Sequence, residues 1–231
     1  MSRYTTIFFD LDHTLWDFEA NSKATLSKIY IDFSLSKYNF DFESFYQCYK
    51  GHNERLWDRY RKGFIKREEL KWKRMWLTLL DFKVANELLA KEMGQVFIET
   101  LPLQTALFPH TFEVLDYAKD KGLDLNLITN GFEDTQWKKI DNCKLASYFS
   151  HVITSEKSNS VKPNAEIFEY AMSLADAKKE TSIMIGDNYD VDIAGGAAVG
   201  IDQVYFNPDL IQHSFLPTFE IKCLSELKGI L

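Results

Sequence analysis

Cysteine is scarce. The 231 residues hold three, Cys48, Cys143 and Cys223, widely spaced and odd in number. That excludes a disulfide framework. With no C-x-x-C pair and five dispersed histidines, zinc has no cluster to bind. A reduced, cytoplasmic compartment is the expectation. Basic excess is also missing, since 27 Lys and Arg against 34 Asp and Glu leave a net charge of −7. A chain of that sign is a poor grip for a nucleic-acid polymer, though local charge decides the fate of a small anion. No apolar run approaches membrane-spanning length. The start shows no secretory pattern, because Ser2 to Thr6 is polar and Ile7-Phe8-Phe9 stops at Asp10. Internal repeats and low-complexity tracts are absent too.

What is present is apolar and aromatic, at 45% and 15% of the residues. That suffices for one sizeable core and a smaller accessory domain. Ile7-Phe8-Phe9 reads as a buried strand ending at Asp10. Comparable runs follow at Leu123 to Ile128, His151 to Thr154, Ser182 to Ile185 and Gln203 to Phe206. Helical patterns lie between them, at Thr111 to Lys121, Thr135 to Lys144, Ala165 to Ala175 and Asp192 to Val199. This alternation predicts an α/β fold, a Rossmann-like parallel sheet with helices on both faces.

The stretch 16–97 breaks the alternation. Phe42, Phe45, Tyr46, Tyr49, Leu56, Trp57 and Tyr60 recur at helical spacing, as do Trp72, Met75, Trp76, Leu79 and Leu80. Val84 through Phe97 is a weaker third case. The expected organisation is a discontinuous core, 1–15 with 98–231, interrupted by a helical domain over 16–97.

Ligands of open parallel sheets bind beyond the carboxyl ends of the strands. Four polar groups fall there: Asp10-Leu11-Asp12-His13-Thr14, Thr129-Asn130-Gly131, Lys162-Pro163, and Gly186-Asp187 through Asp192. Two carboxylates about 4 Å apart repel by roughly 4 kcal/mol at an effective dielectric near 20. A hard divalent cation relieves this, and magnesium suits carboxylates shared with a substrate phosphate. Lys162 precedes a proline expected in the first turn of a helix, where a cation opposes the dipole. It is either a solvated surface lysine or a partner for Asp10 and a phosphate. Thr129, Asn130 and Gly131 offer donors for phosphoryl oxygens, or form an ordinary turn. A consistent chemistry makes Asp10 the nucleophile, Asp12 the acid–base group, and Thr129 and Lys162 the stabilisers of charge. The plain alternative for Asp10-x-Asp12 is a turn with side-chain caps.

In this order the groups resemble those of the haloacid dehalogenase-like (HAD) hydrolase superfamily, across essentially the whole chain. D-x-D-x-T matches Asp10, Asp12 and Thr14; the strand-end Ser/Thr matches Thr129; the lysine matches Lys162; and G-D-x-x-x-x-D matches Gly186, Asp187 and Asp192. The resemblance implies magnesium held by the Asp10 and Asp187 carboxylates and the Asp12 backbone carbonyl. It also implies Asp192 in the outer shell and a C1-type helical cap inserted after the first strand. Asn53 through Trp57, Ile128 to Phe132, and Lys162-Pro163-Asn164 with Ile167-Phe168 are similar to the pyrimidine 5′-nucleotidase-type branch. Nucleoside monophosphates are therefore the implied substrates of a monomer or homodimer. Two positions depart from the pattern. Asn159 stands where relatives carry Gly, and Asn188 where Ser or Thr is usual.

Asn53 falls on the apolar stripe of its helix, so it either pairs inside the cap or faces a ligand. Trp16, just past the catalytic turn, is expected to line the substrate pocket. His52 and Arg55 beside Asn53 read as a solvated face rather than a phosphate clamp. The competing functions are a sugar phosphatase or phosphomutase, a 2-haloacid dehalogenase, and a non-catalytic phosphoacceptor. A carboxylate at Asp12 argues against the dehalogenase.

Overall fold

The computed structural model describes residues 3–231, so Ser2 of the polar start lies outside it. Strand β1 (Thr6–Phe9) leads into four helices, α1 (Phe18–Asp32), α2 (Phe42–Arg61), α3 (Arg67–Asp81) and α4 (Glu87–Thr100). The alternating part follows as α5 (Thr111–Asp120), β2 (Asp124–Thr129), α6 (Glu133–Asn142), β3 (His151–Thr154), α7 (Ser155–Ser158) and α8 (Ala165–Leu174). It closes with β4 (Ser182–Gly186), α9 (Ala194–Val199), β5 (Asp202–Phe206) and β6 (Phe219–Ile221). Among the described residues no helix is long and apolar enough to cross a membrane.

The six strands form one parallel sheet in the order β3-β2-β1-β4-β5-β6. Every residue of β1 is buried, as its apolar composition requires of a central strand. Phe9 aligns with Leu127 of β2 and Ile185 of β4. The order of strands reverses at β1, which makes its carboxyl end the topological switch point.

The chain divides into two compact units, one running through Phe18 and resuming at Thr105–Leu231, the other Glu19–Gln104. The junctions differ from 15/16 and 97/98 for local reasons. The Leu11 carbonyl accepts the Leu15 and Trp16 N–H groups, and Asp17 donates to Ala106, which ties these residues to the sheet unit. Position 97 lies inside α4, which continues to Thr100.

The second unit is helical, with four helices where periodicity indicated three. Helix α1 buries Asn21, Ser22, Thr25, Leu26 and Ile29, a face too polar to show an apolar stripe. Asp41 caps α2 by accepting the Ser44 N–H, and Asn86 caps α4 by accepting that of Leu89. The inner face of α2 is Phe45, Tyr46, Tyr49, His52 and Leu56.

Candidate active site

Asp10 is the first residue beyond β1, and its N–H still donates to Ile185, 2.8 Å away. The chain then turns back through His13, whose φ of 65° is left-handed. The Thr14 hydroxyl thereby reaches Oδ1 of Asp187 at 3.2 Å. Asp187 itself follows the last residue of β4. Next comes a single π-helical turn, Tyr189–Ile193, capped by Asn188, which accepts the Val191 N–H at 3.1 Å. This turn buries Asp192 beneath Gly186. A Cβ on Gly186 would sit 2.5 Å from the Asp192 carboxyl carbon. Gly186→Ala is expected to displace that carboxylate at a cost of about 1–3 kcal/mol. A thermal midpoint lower by roughly 3–10 °C checks this.

Lys162 settles between its two readings by burial, at 1% exposure. Its Nζ donates to Oδ1 of Asp10, to the Ile128 carbonyl and to Oδ1 of Asp192, each at 2.6 Å, so all three protons are used. Burial works to lower the lysine pKa, but Asp10 and Asp192 outweigh it and hold the ammonium charged. Lys162 also does not open a helix. Pro163 lies in a turn after a cis peptide bond, and α8 begins only at Ala165. Asn130 holds this turn, its amide oxygen accepting the Lys162 N–H at 2.7 Å and its Nδ2 donating to the Lys162 carbonyl at 2.9 Å.

Asp10, Asp187 and Asp192 bring ligand oxygens within 4.8 Å of one another. One ammonium faces three clustered carboxylates, those of Asp10 and Asp192 buried and that of Asp187 partly so, an imbalance of two negative charges. Burial, with Asp192 and Asp12 adding to it against the pull of Lys162, pushes the Asp10 carboxyl up to about 7. Burial, with Asp10 and Asp192 adding to it, pushes Asp187 well above the usual carboxylate range. Asp192 spends both oxygens, on Lys162 and on the Asn188 N–H. Asp10 and Asp187 each keep Oδ2 without a partner among the described residues. The donors are all hard oxygens. This set fits a divalent cation held by Asp10 and Asp187, with Asp192 behind them.

At the end of β2 the Thr129 hydroxyl accepts the Gly131 N–H at 3.1 Å and Nε2 of Gln136 at 2.7 Å. Its oxygen is filled, so its own proton is left to donate. Gln136 Nε2 also donates to Oδ2 of Asp12 at 2.9 Å, and Lys139 Nζ to Oδ1 of Asp12 at 2.6 Å. Burial alone would raise the Asp12 pKa, but the Lys139 ammonium and the Gln136 amide hold it below the usual range. Gln136 and Lys139 were not singled out from the sequence. Their signal was present as polar residues sharing the buried face of α6 with Ile140.

Four expected binding residues have other engagements. Trp16 is fully buried, its ring 4.3 Å from the Lys139 ammonium, and so serves as packing for a cation rather than a pocket wall. Asn130 spends its side chain on Lys162, and Gly131 spends its N–H on Thr129. Within the helical unit Asn53 accepts Arg74 Nη1 at 2.9 Å through Oδ1. His52 is buried and bonded to Asp81 and Arg55, while Arg55 itself is exposed, as expected of a solvated face. Asn188 caps its turn, and Asn159 takes the left-handed φ of 51° that a glycine would otherwise supply.

A family model for haloacid dehalogenase-like hydrolases matches residues 4–200. The HAD-hydrolase YfnB of Bacillus subtilis is 30% identical over 235 residues, covering 100% of this chain and 97% of YfnB. A crystal structure of YfnB bound to magnesium matches with a TM-score of 0.89 at 28% identity, over 99% of each chain. The pyrimidine 5′-nucleotidase YjjG of Escherichia coli is 28% identical, over 99% of this chain and 98% of YjjG. PynA of Streptococcus pneumoniae, also a pyrimidine 5′-nucleotidase, is 28% identical over 99% of this chain and 95% of PynA. The match takes in β1, the helical insert and the strand ends that carry Asp10, Thr129, Lys162 and Asp187, and the chain belongs to the haloacid dehalogenase-like hydrolase family.

Proposed function

We propose that the protein is a magnesium-dependent phosphomonoesterase acting through an aspartyl-phosphate, with nucleoside 5′-monophosphates as substrates. The observation that carries this reading is the clustered, under-neutralised trio Asp10, Asp187 and Asp192 around Lys162, with the Asp12 carboxylate held beside it. Asp10, Asp187 and the Asp12 carbonyl would hold magnesium, which would supply the missing positive charge beside a phosphoryl group.

An Asp10 oxygen attacks phosphorus while the bond to the ester oxygen breaks and Asp12 gives that oxygen a proton. Water then attacks the aspartyl-phosphate, Asp12 takes its proton and passes it to solvent, and inorganic phosphate leaves with the Asp10 carboxylate restored. Asp12 rests in its proton-accepting form, so a monoanionic ester brings the proton for the first step. Thr129 and the Asn130 N–H donate to the phosphoryl oxygens, and Lys162 neutralises the charge gathering on Asp10.

The nucleotide reading rests on the similarity to the pyrimidine 5′-nucleotidases YjjG and PynA. A cytoplasmic setting agrees with three free cysteines. The test is phosphate release from a panel of nucleoside monophosphates and sugar phosphates, with magnesium and then with chelator. Pyrimidine nucleotides are expected to lead, and chelation to abolish turnover. A lead by sugar phosphates would sink the substrate assignment, and full turnover in chelator the metal.

A further inference from the structure

Gln136 and Lys139 are costly residues to bury. Lys139 is 3% exposed and Gln136 is fully enclosed. The Gln136 oxygen has no hydrogen-bond partner among the described residues. Such a group costs about 1–3 kcal/mol, so packing alone gives no reason to keep it. Both residues lie one turn apart on the inner face of α6.

Their donors converge on one carboxylate. Lys139 Nζ takes Oδ1 of Asp12 and Gln136 Nε2 takes Oδ2, at 2.6 and 2.9 Å. A carboxylate oxygen has room for two donors, so each oxygen keeps a lone pair for a proton in transit. The other Nε2 proton of Gln136 goes to Thr129, 2.7 Å away. Trp16 closes the far side of the lysine, its ring 4.3 Å from Nζ. Gly131 leaves the space, since a Cβ there would lie inside 3.0 Å of the Gln136 side chain.

We propose that Gln136 and Lys139 are positioning residues for the reaction, fixing the Asp12 carboxylate in its working place and tying that place to the Thr129 hydroxyl. Acid–base transfer works only within hydrogen-bond reach, and a displacement of 1 Å can cost 10²-fold. A free aspartate would rotate about χ1 and χ2. Held at both oxygens, Asp12 has one orientation, and Gln136 makes the proton-transfer group and the phosphoryl donor move as one piece. The inference rests on the phosphatase reading.

The test compares wild type, Lys139→Met and Lys139→Arg on p-nitrophenyl phosphate and on an alkyl phosphate monoester, with saturating magnesium. Single-turnover release of the alcohol isolates the first step. Lys139→Met is expected to lower that rate by about 10²-fold for the alkyl ester, with KM changed by no more than about twofold. The loss should be roughly tenfold smaller for p-nitrophenolate, which departs without a proton. Lys139→Arg should restore most of the rate. Equal losses on both esters with a rising KM, or no rescue by a folded arginine variant, would overturn the proposal. Should Lys139→Met fail to fold, Gln136→Met removes the other two bonds at similar volume and must show the same split between esters. Wild type inert on both esters would instead refute the phosphatase reading.

Discussion

Asp10→Asn is expected to reduce phosphate release by about 10⁴-fold or more while leaving the protein folded. An amide oxygen has the shape of the carboxylate but lacks the charge to displace an alkoxide from phosphorus. It also forms no stable acyl-phosphate. The structure adds a second expectation that a general loss of fold would not give. Asp10 is one of three clustered carboxylates around one lysine, and its own pKa is pushed up to about 7. Removing its charge relieves repulsion, so in chelator the variant should melt no lower than wild type. The amide oxygen can still accept from Lys162. Phosphate release and a melting curve, measured side by side, check both halves. Full activity in the variant would end the nucleophile assignment.

Lys162→Met should affect stability as strongly as activity. The ammonium is the counter-ion of two buried carboxylates at 2.6 Å. Removing one member of a buried ionic group costs about 3–5 kcal/mol when the remaining charges stay. Here they have an escape, which is to take up a proton. A carboxyl whose folded pKa lies above its unfolded value binds more protons when folded, so stability falls as pH rises between the two values. For Asp10 in the wild type that window runs from the ordinary carboxyl value of 3.8 to about 7. Asp187 is raised as well and acts in the same direction. Without Lys162, which pulls both downward, the window extends upward. In chelator, the melting difference between variant and wild type should therefore be small at pH 5 and largest above pH 7. A difference that is constant with pH would mean that the lysine stabilises by packing alone. Turnover should fall by several orders of magnitude, because Asp10 loses the cation that keeps it ionised.

The sheet and the charged strand ends were legible because their signals are local. An apolar run stopped by Asp10, or by Gly186-Asp187, is visible in a window of a few residues. Helix α1 was not, because its buried face is Asn21, Ser22 and Thr25, small polar residues that pack without an apolar stripe. Strand β6 was missed as a three-residue edge element. The spacing put Lys162 at a helix start, and the fold put it in a turn held by Asn130. Trp16 failed as a pocket residue because an indole beside the catalytic turn can face a ligand or a neighbouring cation, and only the position of Lys139 on α6 decides. Gln136 was invisible for the same reason. Its importance comes from Asp12 and Thr129, both brought to it by the sheet.

The place of β1 also sets an order of events during synthesis. Its three apolar residues and Thr6 emerge well before their sheet partners, which begin at Asp124 and Ser182. The helices of Glu19–Gln104 intervene, and their contacts are local. Local contacts form fast, and distant strand pairings wait for loop closure. The growing chain therefore carries a folded helical knot while Thr6–Phe9 remains an unpaired, aggregation-prone strand. The strand that aims the nucleophile is made long before the two strands that protect it. Mutations that slow β2 or β4 should thus show as insoluble product on rapid expression before they show as lost activity.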